Sequence, residues 1–92
     1  MIERSVEITN RLGLHARAAA ALVRTANRYQ SALRLEREDK TAMADAKSIL
    51  SVLMLAASRG TRLLVRAEGV DEREAIEAVC ALFANGFGEN ER

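Results

Sequence analysis

The sequence predicts an α+β fold in which helices cover one face of a mainly antiparallel sheet. Segments with alternating apolar side chains and segments with helical apolar spacing follow one another in the order β-α-β-β-α-β-α, without a linker or internal repeat. The chain has 92 residues, is 49% hydrophobic and contains no proline, and a chain of this length builds one hydrophobic core. We therefore expect one domain that spans residues 1–92.

The first half of the chain contains three predicted strands and one helix. Residues 2–8 alternate between apolar and polar side chains, as in a half-buried strand. After a polar loop, residues 16–29 carry apolar side chains at helical spacing, which predicts the first helix. Residues 31–36 alternate again, and the charged segment 37–40 leads into a short partner strand at 41–44. The last three segments predict a hairpin.

The apolar run at residues 49–57 has the composition of a buried strand. Its length, with Ser48 before it and Gly60 after it, favours a second helix that has a serine N-cap and a C-terminal glycine.

The last two elements are a strand and a helix. Residues 61–67 alternate and predict the fourth strand. Asp71 and Glu74 have the spacing of a capping box, and the apolar stripe that follows predicts a third helix ending near Gly86.

The charge of the chain is nearly balanced, with 14 basic and 13 acidic side chains and a net charge of +1. This balance argues against nucleic-acid binding, which depends on neutralising phosphates. The basic residues are uneven, however, because six arginines lie in residues 1–35: Arg4, Arg11, Arg17, Arg24, Arg28 and Arg34. This bias predicts one basic face.

The single cysteine, Cys80, has no partner for an internal disulfide. Its place on the apolar side of the third helix predicts core packing, with a reactive thiol as the alternative. The sequence shows neither a cleavable signal nor an apolar run of about 18 residues. We expect a cytoplasmic protein without membrane insertion.

The only histidine, His15, lies in the stretch GLHAR at residues 13–17, where a loop meets the first predicted helix. The first N–H groups of a helix have no intrahelical partner, and the helix dipole is positive there. A phosphate on the imidazole would therefore bind the amides that begin at Ala16, and Gly13 would let the loop backbone approach it. The guanidinium of Arg17 suits phosphoryl oxygens. The alternative is a histidine with a purely structural role.

Arg24 and Arg28 follow Arg17 by seven and eleven positions, which places all three on one side of a continuous helix. This basic strip is interpreted as a docking surface for an acidic partner, or alternatively as a solvated helix face.

Other chemistries find little support in the sequence. A metal site is not expected, since there is no second histidine and Cys80 lies in another helix. The sequence contains no Gly-x-Ser-x-Gly motif and no phosphate-binding loop ending in Gly-Lys-Ser/Thr. We expect no cofactor, and His15 is left as a nucleophile without a substrate pocket of its own.

The stretch GLHAR, followed by small residues, resembles the active-site motif of HPr, the histidine-containing phosphocarrier of the bacterial phosphoenolpyruvate:sugar phosphotransferase system. The segment Lys47-Ser48-Ile49-Leu50 resembles the regulatory-serine segment of that family at matching spacing. The resemblance covers nearly the whole chain. It implies an open-faced β-sandwich with a four-stranded antiparallel sheet in spatial order 1-4-2-3 under three helices.

The resemblance also implies a function. His15 would accept a phosphoryl group on Nδ1 from phosphorylated Enzyme I and pass it to an enzyme II A-type domain or a related regulator, with Arg17 assisting. Such a carrier suits the site, because positioning supplies most of the catalysis of phosphoryl transfer. Its enzyme status is left open, since a transfer intermediate turns over no substrate of its own.

Ser48 is predicted to be an N-cap, and the resemblance implies phosphorylation there by an HPr kinase/phosphorylase. A dianion beside Ile49, Leu50 and Leu53 would weaken docking if these side chains form an apolar contact patch. Core packing is their alternative role, and we expect one of Leu50 and Leu53 to be fully buried.

Two positions depart from the family pattern. Ala18 stands where the family commonly has proline, and Ser51 where it often has glycine. Both are compatible with the fold, but they leave open a paralogue in nitrogen-related or carbon-control regulation.

Two further hypotheses are a non-catalytic regulatory module that uses Ser48 as its switch, and an acylphosphatase-type enzyme. A monomer is expected, because transient docking requires both helices to be exposed.

Overall fold

The computed structural model describes residues 1–89 and contains four strands and three helices. In chain order these are β1 (Ile2–Glu7), α1 (Ala16–Ala26), β2 (Ala32–Arg37), β3 (Met43–Asp45), α2 (Ile49–Leu53), β4 (Arg62–Glu68) and α3 (Glu72–Ala84), followed by a 3-10 turn at Gly86–Gly88. The strands form one antiparallel sheet in the spatial order β1-β4-β2-β3. This confirms the predicted α+β class, the element order and the strand order that the resemblance implies.

The core lies between the helices and one face of the sheet. Along β4, Leu63, Val65 and Ala67 are fully buried and alternate with more exposed residues, as a strand with one covered face requires. The helices complete the core with side chains such as Leu22 of α1 and Val79 of α3, both 0% exposed. The core is built mainly from small and aliphatic residues, with Phe83 as its one fully buried aromatic side chain among residues 1–89.

Helix α1 ends at Ala26, three residues before the predicted end at residue 29. Asn27 is the C-cap, and its side-chain amide donates to the carbonyls of Val23 at 2.9 Å and Lys47 at 3.2 Å. This amide ties the end of α1 to the segment before α2. Arg28 therefore lies beyond the helix and not on its face.

Helix α2 is a single turn and not the predicted helix over residues 49–57. After it the chain turns through Ala56, at φ +49, which buries Leu55 and Ala57. The Ala57 carbonyl then accepts the Leu14 N–H at 2.9 Å. Gly60 is thus not a helix terminus. It lies before β4 at φ +89, and its N–H donates to the Ile8 carbonyl.

The predicted capping box of α3 is wrong. Asp71 makes no side-chain cap bond in its own helix. Its carboxylate accepts the backbone N–H groups of Gln30 and Ser31, each at 2.9 Å, and the Ser31 hydroxyl at 2.5 Å. Asp71 therefore connects α3 to the turn between α1 and β2.

The hairpin lies further along the chain than the sequence predicts. Strand β3 covers Met43–Asp45 where 41–44 was expected. Thr41 belongs to the turn, because its backbone N–H and hydroxyl both donate to Asp39 Oδ1.

Candidate functional site

The loop before α1, residues 9–14, holds its shape through backbone bonds to the segment before β4. Ile8 donates to Thr61 at 3.0 Å, and Leu14 donates to Ala57 at 2.9 Å. Within the loop, the Asn10 side chain donates to the Gly13 carbonyl at 2.8 Å. The loop is thus fixed at both ends and in the middle, which fixes the position of His15.

Gly13 is required by both its conformation and its surroundings. Its φ is +68, and a Cβ atom at this position would lie 2.6 Å from the Ala57 carbonyl oxygen and 2.8 Å from the Ser58 Cα. Its N–H donates to the Asn10 carbonyl at 3.1 Å. Gly13 therefore shapes the loop that leads into His15, and its N–H is engaged within that loop.

His15 is the N-cap residue of α1, with φ −75 and ψ 179, and its side chain makes no cap bond. The first intrahelical bond runs from the Ala19 N–H to the His15 carbonyl at 2.8 Å. The N–H groups of residues 16–18 precede it and have no intrahelical acceptor. The imidazole is 26% exposed, so it lies at an electropositive helix end within reach of solvent.

The His15 imidazole has a partner that the sequence analysis missed. Its Nε2 atom lies 2.5 Å from Glu89 Oε2, and the Asn10 amide donates to the other oxygen, Glu89 Oε1, at 3.0 Å. Together with the charges of His15 and Arg17, these bonds, above all that from Asn10, hold the pKa of the Glu89 carboxyl below its usual range. Asn10 is 2% exposed, and its Oδ1 atom has no hydrogen-bond partner among residues 1–89.

A signal for Glu89 exists in the sequence, although it is faint. Glu89 follows the segment Gly86-Phe87-Gly88, and both glycines adopt positive φ angles of +62 and +74. Two glycines around an aromatic residue after a helix predict a turn. The contact between Glu89 and His15 that follows this turn joins distant parts of the chain, so local spacing does not reveal it.

The basic residues of the predicted strip are all exposed, but they do not share one helix face. Arg17 lies in the first turn of α1, where its charge acts on the Glu89 carboxyl. Arg24 lies in the last turn, whereas Arg28 follows the helix. Arg24 and Arg28 nonetheless line the same shallow depression, with Val23 and Asn27.

Ser48 is the N-cap of α2, as predicted, and its hydroxyl accepts the Ser51 N–H at 3.3 Å. The expectation that Leu50 or Leu53 is fully buried is wrong, because they are 71% and 37% exposed. The single turn of α2 buries Val52 instead. An apolar surface therefore surrounds the start of α2, formed by Ile49, Leu50, Leu53 and Met54, which is 80% exposed. We call these four residues the α2 patch.

The remaining chemical candidates within residues 1–89 give no second site. Cys80 is half-buried against the core, and burial raises the pKa of its thiol, which disfavours the reactive thiolate. Within residues 1–89, no three His, Cys, Asp or Glu side chains come together as metal ligands. The same part of the chain has no helix with the length and hydropathy that a bilayer span requires.

The fold and the site define a small α+β domain that presents one histidine at a helix N-terminus. Comparison with known proteins supports this description of the fold and the site. Residues 2–85 match the family model described as "PTS HPr component phosphorylation site". The phosphocarrier protein HPr of Cupriavidus necator is 45% identical over 91 residues, which cover 99% of this chain and 100% of the relative.

The phosphocarrier protein NPr of Proteus mirabilis is 44% identical over 87 residues, 95% of this chain and 96% of the relative. The crystal structure of HPr-C-His from Thermoanaerobacter tengcongensis superposes with a TM-score of 0.92 at 42% identity, covering 99% of this chain and 100% of that one. The chain belongs to the HPr family of phosphocarrier proteins of the phosphotransferase system. Membership confirms the predicted family and replaces the acylphosphatase hypothesis.

Proposed function

We propose that His15 accepts a phosphoryl group from phosphorylated Enzyme I and passes it to an enzyme II A-type domain or a related regulator. The observation that carries this proposal is the placement of His15: the imidazole is 26% exposed at the N-terminus of α1, and Glu89 engages Nε2. Nδ1 is the nitrogen left for the phosphoryl group. The carrier acts in the cytoplasm as a monomer.

The electrostatics of the site suit transfer in both directions. As the Nδ1 lone pair forms a bond to phosphorus, the bond to the donor nitrogen breaks and its electron pair stays with the donor. The phosphoryl oxygens then face the free N–H groups of Ala16 and its neighbours and the Arg17 guanidinium, which balance their charge. Because the imidazole is 26% exposed, a second protein can approach the same phosphorus, and the group is delivered as the Nδ1–P bond breaks and its electron pair returns to Nδ1.

Docking uses the α2 patch together with the basic residues of α1. Exposed Leu50 and Met54 supply apolar area, and Arg24 and Arg28 attract acidic partner surfaces. Phosphorylation of Ser48 by an HPr kinase/phosphorylase would place a dianion at the edge of this patch and weaken docking. The same arrangement supports a second candidate function, a regulatory module whose switch is Ser48.

Phosphorylation with phosphoenolpyruvate and Enzyme I tests the proposal. We expect one acid-labile, base-stable phosphate per chain, which transfers to an enzyme II A-type domain and is absent from His15→Ala. The matched control is Arg34→Ala, an exposed substitution on β2 away from α1, which is expected to accept phosphate normally. Stoichiometric labelling that persists in His15→Ala contradicts the proposal. A regulatory module predicts partner affinity that responds to Ser48 but requires no phosphate on His15.

A further inference from the structure

The chain after α3 folds back toward the start of α1. The Asn85 side chain accepts the Gly88 N–H at 3.3 Å, and the Phe87 ring packs edge-on against Phe83 with their centroids 5.0 Å apart. Phe87 adopts a positive φ of +59 within this turn. The turn is therefore anchored to the core by an aromatic contact, and it places Glu89 beside His15 and the loop before α1.

Both oxygens of the Glu89 carboxylate are engaged on that loop. Oε1 accepts from the Asn10 amide, and Oε2 bonds His15 Nε2. Asn10 itself is buried and also donates to the Gly13 carbonyl. A side chain fixed by the loop thus fixes the carboxylate, and the carboxylate fixes the imidazole.

We propose that Glu89 is a positioning residue that keeps a proton on His15 Nε2 through both halves of phosphoryl transfer. The inference rests on the proposed function and deepens it. A carboxylate accepts hydrogen bonds, so its partner nitrogen carries the proton and the lone pair of the neutral ring lies on Nδ1. The arrangement uses the same logic by which a carboxylate sets the tautomer of a catalytic histidine.

The proton on Nε2 matters most after the phosphoryl group arrives. When Nδ1 bonds to phosphorus and Nε2 retains its proton, the ring carries a positive charge, which the Glu89 carboxylate balances. In the forward transfer the Nδ1–P bond breaks, its electron pair returns to Nδ1, and the ring leaves as neutral imidazole. Without the proton it would leave as an imidazolate, a much poorer leaving group. Glu89 therefore favours the form of the phosphohistidine that gives up its phosphate.

Three variants of the full chain separate orientation from charge. Glu89→Gln retains an oxygen that can accept from Nε2 but loses the negative charge. Glu89→Ala loses both. Glu77→Gln removes the same charge from an exposed position on α3 and is the matched control.

We expect Glu89→Gln to pass phosphate to an enzyme II A-type domain about tenfold more slowly than Glu77→Gln. Nitrogen-15 NMR of the neutral ring is expected to show the proton on Nε2 in the wild-type chain and in Glu89→Gln, and a mixture of tautomers in Glu89→Ala. A purely structural role would leave the tautomer unchanged.

The inference fails if Glu89→Gln and Glu77→Gln transfer at the same rate while His15 is still phosphorylated. It also fails if the wild-type ring carries its proton on Nδ1, a measurement that needs no variant to fold. By contrast, a wild-type chain that takes up no phosphate on His15 contradicts the proposed function itself. The two failures are thus distinguishable.

Discussion

At the scale of single residues, the loop before α1 depends on backbone conformation more than on side-chain chemistry. Gly13 has a positive φ and approaches the backbone at Ala57 and Ser58 too closely for any Cβ atom. Gly60 also has a positive φ, of +89, but a Cβ atom there would meet nothing within 4 Å. Alanine substitutions at the two glycines therefore separate the free-energy cost of the left-handed conformation from that of a steric clash.

Gly60→Ala is expected to lower the free energy of unfolding by about 1 kcal/mol, the cost of a left-handed conformation. Gly13→Ala adds a backbone clash and is expected to cost about 3 kcal/mol or more. It is also expected to slow phosphorylation, because His15 follows two residues later. Urea unfolding of both variants measures the difference. Equal losses would show that the loop moves aside without strain.

At the scale of elements, α2 is too short to be stable on its own, and it depends on its cap and its neighbours. Helices of one turn gain little from their internal hydrogen bonds. The Ser48 hydroxyl accepts the Ser51 N–H, and the Ser51 hydroxyl accepts the Asp45 N–H at 3.0 Å. These bonds attach the start of α2 to the end of β3, and they hold the α2 patch at the surface.

Ser48→Ala is expected to lower the free energy of unfolding by about 1 kcal/mol, because the cap bond is lost. Ser48→Asp keeps a capping oxygen, so its stability is expected to stay within about 0.5 kcal/mol of the wild type. Its added charge is expected to weaken binding to an enzyme II A-type domain by at least tenfold. Urea unfolding and calorimetric titration measure the two effects separately. Equal affinity of Ser48→Asp and the wild type would contradict a switch at this position.

At the scale of the whole molecule, carboxylates connect segments that are distant in the chain. On the uncovered face of the sheet, Arg66 of β4 pairs with Glu3 of β1 at 2.7 Å and Glu36 of β2 at 3.3 Å. Elsewhere, hydrogen bonds hold the pKa of several carboxyls below their usual range. The affected groups and their main donors are Glu38 with Ser5, Asp39 with Arg37, Asp71 with Ser31, Glu72 with the Gly69 N–H and Glu89 with Asn10.

A carboxyl whose folded pKa is depressed stabilises the fold above its unfolded pKa, which is about 4. We therefore expect the stability that these carboxyls contribute to be constant from about pH 7 to pH 5 and to be lost as the pH drops below about 4. Thermal unfolding across this range measures the effect. Asp71→Asn is expected to reduce the loss of stability at acid pH. Glu77→Gln, at an exposed position on α3, is expected to leave that loss unchanged. Stability that stays level down to pH 2 would contradict this account.

The sequence was sufficient to predict the class of fold, the order of its elements, the exposed Arg17 and the Ser48 cap. These depend on periodicity and on contacts between neighbours in the chain, which spacing records directly. It misplaced the ends of α1 and α2, the burial of Leu50 and Leu53, and the role of Asp71, and it missed Glu89 as the partner of His15. Each depends on a contact between distant segments, as when Asn27 reaches Lys47 or Leu14 bonds Ala57. Such contacts exist only once the chain has packed, so the tertiary structure alone decides them.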